Sequence, residues 1–288
     1  MYEEIQPLHE KQYEILKELK RVCDKNGLTY YLAFGTLLGA IRHKGFIPWD
    51  DDIDTGMPIS DYRKLERLFK KGEFKDGFFL QTANTDPNSG QTYYKLRSDG
   101  TTFIVKPQAH RDMHHGINID IYPLYNVADN KILREIQALH AVMYMLLEVG
   151  EVPQNNGVFM KVIGTIILFL IRGKLREKYK KYCLKYMAKY EGKKTKYKAH
   201  FYGNLNRCRR IYPAKVFKKT IPMQFEKEMF SVPIGYDFFL RKFYGDYMKI
   251  PPVEKRGIKL DKLAKIDPEH SYLEYKGTYY CVKDNLKL

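Results

Sequence analysis

Residues 30–57 read "YYLAFGTLLGAIRHKGFIPWDDDIDTGM": β-forming residues, a Gly-Thr break, a short apolar stretch, then four carboxylates within five positions. Leu28–Phe34 has the aromatic-rich composition of a buried strand. Gly35 and Thr36 interrupt it, and Leu37–Arg42 suits a short helix. "DIDTGM" alternates as strands do, and side chains at i and i+2 of a strand share a face. Asp52 and Asp54 then face one way, joined by Asp50, while Ile53 faces the core and Asp51 points elsewhere. Carboxylates crowded on one face repel strongly unless a proton or a cation neutralises them. Oxygen ligands suit a hard cation, Mg²⁺ or Mn²⁺. The competing reading is an exposed aspartate loop without function. Pro48, Trp49 and Ile53 speak against it.

This acidic knot sits in a chain of 288 residues with a net charge of +16. Such an excess of Lys and Arg calls for an anionic partner: phosphates, acidic lipid, polyanionic glycan or nucleic acid. The length permits one large domain or two small ones, and the apolar and aromatic content excludes a disordered chain. Four widely spaced cysteines without a C-x-x-C pair read as reduced thiols. "MYEEIQPLHEKQYEILKEL" lacks a positive n-region followed by an apolar h-region, so the expected location is cytoplasmic.

Outward from the knot, residues 3–26 show helical spacing up to Gly27, and "SDYRKLERLFKKG" predicts a helix with Ser60 or Asp61 as N-cap. "TYYKLRSDGTTFIV", with a turn at Ser98-Asp99-Gly100, and "GINIDIYPLY" read as strands. The expected fold is therefore α/β (α+β), a mixed sheet flanked by helices in a single domain over 1–288. Residues 131–200 form a helical insertion within it. There, Val162–Ile171 is an uncharged run, short of the ~20 residues that span a bilayer. Residues 172–198 follow with twelve Lys or Arg against two Glu. An apolar helix before a basic, Tyr-rich one fits a segment lying on an anionic membrane surface over 157–198; a core helix with a solvated lysine face fits equally. From Ile221 the tail reads as irregular packing. Nucleic-acid binding is disfavoured, because the basic residues fall in one apolar-flanked segment without a reading motif.

Around the carboxylates lie parts that phosphoryl transfer requires. Gly35 and Thr36 stand where a helix N-terminus can hold a phosphate, with Arg42 and Lys44 placed to offset its charge. Asp120 in "NIDIY" supplies a further carboxylate, as metal ligand or base. The order strand, Gly-Thr turn, helix, D-x-D strand and later Asp strand resembles the nucleotidyltransferase superfamily of polymerase-β-like folds. The wording of 30–57 is similar to the signature of the LicD family, phosphocholine transferases of bacterial surface glycans, to which the fukutin-related ribitol-phosphate transferases are similar. "YYKLRSDGTTFI" (93–104), "GINIDIYPLY" (116–125) and "MQFEKEMFSVPIGYDFFLRKFYGDYMKIPP" (223–252) agree with that family.

The resemblance implies a Mg²⁺-dependent phosphotransferase that takes a phospho-alcohol, most often phosphocholine, from a CDP-linked donor such as CDP-choline. The group passes to a hydroxyl of a surface-glycan or lipid-linked glycan acceptor, a teichoic-acid or lipopolysaccharide precursor, and CMP is released at the inner face of the membrane. Carried over, Asp52 and Asp54 are the metal pair, Asp50 assists, and Asp120 completes the site. Gly35, Thr36 and Arg42 hold donor phosphates, and Lys95, Arg97 and Thr101 contact the donor. Glu226, Tyr236, Asp237 and Asp246 match the family tail without assigned chemistry. Tyr125 stands where the family usually has Asp. Within enzymes, the alternative is a nucleotidyltransferase adding NMP to RNA, protein or a small molecule; outside them, a basic binding protein.

Overall fold

The computed structural model describes residues 5–152, 158–256 and 262–282. Helix α1 (Gln6–Asn26) has Pro7 in its first turn and ends on Gly27 at φ 61°, a left-handed cap. Its apolar stripe of Leu8, Ile15, Leu16, Leu19 and Val22 is buried. The strand expected over Leu28–Phe34 contracts to β1 (Tyr31–Leu32), because α2 already begins at Phe34 and runs to Arg42. Phe34 takes φ 43°, a strain on the order of 1–3 kcal/mol for a bulky residue. The rings of Tyr122, Tyr202, Phe239 and Phe243, with centroids at 5.1 to 5.5 Å, hold it there. Gly35 and Thr36 thus lie inside the first helical turn, not before it.

Strand β2 (Asp54–Pro58) starts at Asp54, so Asp52 precedes the strand. The N-cap of α3 (Ile59–Lys70) is Pro58, not Ser60 or Asp61; the Asp61 carboxylate instead accepts the Thr29 amide at 3.1 Å. Strands β3 (Phe78–Gln81), β4 (Tyr94–Ser98) and β5 (Thr102–Val105) lead to β6 (Asn118–Val127), buried along nearly its whole length. Helices α4 (Lys131–Val149), α5 (Val158–Leu170) and α6 (Gly173–Met187) follow. The Asn130 side chain caps α4 by accepting the amides of Ile132 and Leu133. Residue 157, the first of the apolar and basic segment, lies outside the described residues. The chain returns through β7 (Tyr197–His200), α7 (Leu205–Cys208) and β8 (Tyr212–Pro213).

The tail is more regular than its prolines suggest. Strands β9 (Thr220–Phe225) and β10 (Glu228–Pro233) form a hairpin, followed by α8 (Tyr236–Tyr244) and by β11 (Leu263–Asp267), which pairs with β5. Glu226 at φ 54° makes the hairpin turn, a conformation uncommon for a residue with a side chain.

The central sheet runs β1-β2-β6-β4-β3, with β7 on β6 and β8 on β7. Strands β2 and β6 are parallel, and the other pairs are antiparallel. The fold is the expected mixed α+β arrangement. Ala138, Met145, Cys183 and Met187 of α4 and α6 belong to the same core as α1 and the sheet. Gln137 of α4 donates to the Met187 carbonyl at 2.8 Å. Among the described residues no helix is long and apolar enough to cross a membrane.

Candidate active site

Sheet register brings the acidic groups together. Asp54 is opposite Asp120 in the parallel pair, and Lys95 is opposite Asp120 in the antiparallel one. Cross-strand partners share a face, so Lys95, Asp120 and Asp54 form a row across three strands. The Asp54 amide donates to Thr36 Oγ1 at 2.8 Å and its carbonyl accepts the Ala33 amide at 2.9 Å. The start of α2 thereby fixes where β2 begins.

Residues 50–53 are irregular, and this changes the expected role of Asp51. Its carboxylate does not point away: oxygens of Asp50, Asp51 and Asp52 lie within 4.8 Å of one another. Strand alternation does not apply where there is no strand. Helix α1 holds this bend by its backbone, with His9 Nε2 donating to the Asp50 carbonyl at 2.7 Å and Gln12 Nε2 to the Asp51 carbonyl at 2.8 Å. On the other side, Glu226 accepts the Phe46 amide at 3.0 Å. A Cβ on Gly45 would lie 2.0 Å from that carboxylate, and one on Gly35 would lie 2.5 Å from an Asp50 oxygen. A side chain at either position would push the facing carboxylate aside.

Asp50, Asp52 and Asp54 line one cleft of about 540 Å³ with Gly35, Arg42 and Trp49. Asp54 is buried, and its Oδ1 has no hydrogen-bond partner among the described residues. Asp52 lines the same cleft with its side chain exposed to water and crowded by the carboxylates of Asp50 and Asp51. Burial first, then the charges of Asp50, Asp120 and Asp51, push the Asp52 carboxyl up to about 8, against the pull of Lys95. Burial, followed by Asp52, Asp120 and Asp50, raises Asp54 well above the ordinary carboxylate range. A buried carboxylate oxygen without a partner, inside a crowd of like charges, is the environment a hard cation stabilises. Asp50, Asp51 and Asp52, whose oxygens lie within 4.8 Å of one another, and Asp54 beside them in the same acidic stretch are the residues that could hold such a cation.

The remaining expected residues divide. Asp120 is buried and bonded to Lys95, Asn118 Nδ2 and the Tyr122 hydroxyl. It borders the acidic row without lining the cleft. Arg42 lines the cleft, and its Nη1 donates to the Tyr247 carbonyl at 2.8 Å, tying the segment after α8 to the mouth. Three residues lie away from it. The exposed Lys44 offers its carbonyl to the Glu226 amide. Thr101 is buried, accepting the Ile117 amide and donating to the Ser98 carbonyl. Arg97, 2 % exposed, donates to Gln81 Oε1, the Gly116 carbonyl and Asn118 Oδ1. These are fold-bearing contacts, as is that of the Thr36 hydroxyl. Asp237 accepts from Arg241 and the Tyr247 hydroxyl. Conversely, Tyr122, Tyr202, Arg207 and Asp246 line the cleft. Of these only Asp246 stood out in the sequence.

Residues 27–144 match the family model described as "LicD/FKTN/FKRP, nucleotidyltransferase domain". Over this stretch the chain is similar to that family's nucleotidyltransferase domain. The chain is also 28 % identical over 247 residues to the lipopolysaccharide cholinephosphotransferase LicD of Haemophilus influenzae, covering 83 % of this chain and 89 % of that one. The human ribitol 5-phosphate transferase FKRP is 45 % identical over 47 residues, 16 % of this chain and 10 % of that protein. Mannosyltransferase regulator 4 of Saccharomyces cerevisiae is 24 % identical over 158 residues, 50 % of this chain and 12 % of that protein. The LicD domain contains the acidic bend, Lys95 and Asp120. Tyr202, Arg207 and Asp246 close the cleft from beyond residue 144.

Proposed function

We propose that this LicD-family transferase moves a phospho-alcohol, phosphocholine in the first instance, from a CDP-linked donor to a hydroxyl of a surface-glycan precursor, releasing CMP. The observation that carries the reading is the partnerless buried oxygen of Asp54 among Asp50, Asp52 and Asp120, facing a cleft whose other charges include Arg42 and Arg207. The likeness to a cholinephosphotransferase along most of both chains supports the choice of cargo.

Asp50, Asp52 and Asp54 hold the divalent cation, which when bound neutralises diphosphate charge and polarises the phosphorus. Arg42 and Arg207 steady the donor phosphates from opposite elements. The acceptor oxygen attacks the phosphorus bearing the alcohol, the bond from that phosphorus to the CMP oxygen breaks, and the hydroxyl proton passes to the carboxylate cluster. Lys95 keeps Asp120 paired, so Asp120 positions the row. Purified chain with Mg²⁺ and a panel of CDP-alcohols should release CMP from CDP-choline when a glycan acceptor is present. Release from none of the panel overturns the donor assignment.

The reading places the enzyme at a membrane surface, where lipid-linked glycans reside. Val162, Ile166, Phe169 and Leu170 of α5 are each more than half exposed. They recur on one side of the helix, and the basic α6 follows directly. An apolar strip beside cationic charge suits an anionic bilayer. Because α6 packs on α4, the informative variant is the pair Phe169→Asp and Leu170→Asp, not a deletion. Flotation with phosphatidylglycerol vesicles should fall to background in that variant. Undiminished flotation contradicts the membrane face.

A further inference from the structure

A second cavity, of about 270 Å³, lies on the far side of the sheet from the carboxylates. Alternation along β6 explains the separation: Tyr122 faces the acidic cleft, whereas Pro123 and Tyr125 face the second cavity. Tyr62, Tyr94, Tyr125 and Tyr144 supply aromatic walls, and Tyr62 and Tyr94 stack at 3.7 Å between ring centroids.

The polar inventory says what the cavity takes. Gln91 lines it, is 5 % exposed, and its Nε2 has no hydrogen-bond partner among the described residues. A buried amide donor left alone is unfavourable by about 1–3 kcal/mol, so the cavity suits a ligand that brings an acceptor. A cation does not match, although aromatic rings and carboxylates are present. Glu148 and Glu177 are both paired with Lys180 at 3.0 Å, and Glu66 is bonded to Lys70, Asn84 and the Tyr94 hydroxyl. The lining charges balance, with Arg63, Lys180 and Lys181 against Glu66, Glu148 and Glu177, so an anion finds no net attraction either. A neutral ring with many hydroxyls meets aromatic faces, the Gln91 donor and the phenol groups together, and the volume is that of one such ring rather than a chain.

We infer that this cavity binds a single neutral sugar ring, a distal unit of the acceptor glycan, an assignment that rests on the glycan acceptor proposed above. Its position agrees with that role. Tyr93 lines the cavity, and its ring lies 4.4 Å from that of Tyr122, which lines the cleft. Tyr93 and Tyr122 thus stand between the two sites, next to the start of β4.

Saturation-transfer NMR on the full chain tests this, with glucose, galactose and N-acetylglucosamine as probes and choline chloride as the cationic control. At least one sugar should show transfer and choline should compete with none of it. Gln91→Met, of nearly equal volume, and Tyr144→Phe, which removes only a hydroxyl, should each weaken the signal tenfold or more at unchanged melting temperature. Two variants guard against misfolding of either. Transfer to no sugar, a signal that survives in both folded variants, or displacement of the sugar by choline overturns the inference. CMP release by the parent chain, assayed alongside, separates the two readings. Sugar binding without CMP release removes the donor chemistry alone, and CMP release without sugar binding removes this cavity alone.

Discussion

Asp54→Asn and Asp52→Asn are each expected to reduce turnover of the CDP-alcohol roughly a thousandfold, about 4 kcal/mol of barrier, while the chain still folds. Each variant removes a cation ligand from a cluster whose geometry is held by the backbone: α1 grips the bend through His9 and Gln12, and Thr36 fixes the Asp54 amide. The stability effect has the opposite sign to the activity effect. The Asp52 carboxyl is pushed from 3.8 up to about 8 in the folded chain. A carboxyl raised in this way makes a stability contribution that is full below the unfolded value and is lost as pH climbs through the folded one. Without a cation, the parent therefore loses stability as pH rises above the ordinary carboxylate range, and Asp52→Asn does not lose this share. At pH 8, Asp52→Asn should melt above the cation-free parent, and added Mg²⁺ should raise the parent far more than the variant. Scanning fluorimetry at several pH values reads both. Full turnover in either variant would contradict the cation assignment.

Arg97→Met should destabilise the chain by about 3–5 kcal/mol, as expected when one partner of a buried polar network is removed. That corresponds to a fall in melting temperature of about 10 °C for a chain of this size. Burial lowers the guanidinium to about 10, and Asp120 and Asp86 hold it up. Methionine fills most of the space but leaves Gln81 Oε1, the Gly116 carbonyl and Asn118 Oδ1 without their donor. Denaturant unfolding measures the loss. If Arg97 instead contacted the donor, the variant would keep its stability and show a raised KM for the CDP-alcohol.

Arg97 also shows where a sequence can mislead. The family resemblance carries Arg97 over as a donor contact, and its acceptors Gln81, Gly116 and Asn118 lie too far along the chain to be visible from spacing. The Thr36 and Thr101 hydroxyls likewise each accept a backbone amide, contacts that no local spacing reports. The acidic run itself is legible because four aspartates beside Trp49 violate ordinary surface patterning. The bend is not, because the early start of α2 depends on a strained Phe34 held by rings from residues 122–243. Strand behaviour was therefore expected one turn too soon, and Asp51 was expected to face away. Asp120 is legible as a carboxylate on a strand. Its place opposite Asp54 follows from parallel register, which no local pattern reports. Arg207 sits on a four-residue helix inside a basic stretch, where one arginine looks like the next. The hairpin of β9 and β10 hides behind Pro222, Pro233 and a turn made by Glu226 instead of glycine or asparagine.

The most direct measurement follows the two halves of the donor separately. CDP-choline labelled in the choline methyl groups and, independently, in the cytosine ring is incubated with the protein, Mg²⁺ and a lipid-linked glycan. Phospho-alcohol transfer predicts choline label on the glycan and cytosine label in free CMP, both abolished by Asp54→Asn. Cytosine label on the acceptor with choline phosphate released would contradict it and assign the site to nucleotidyl transfer.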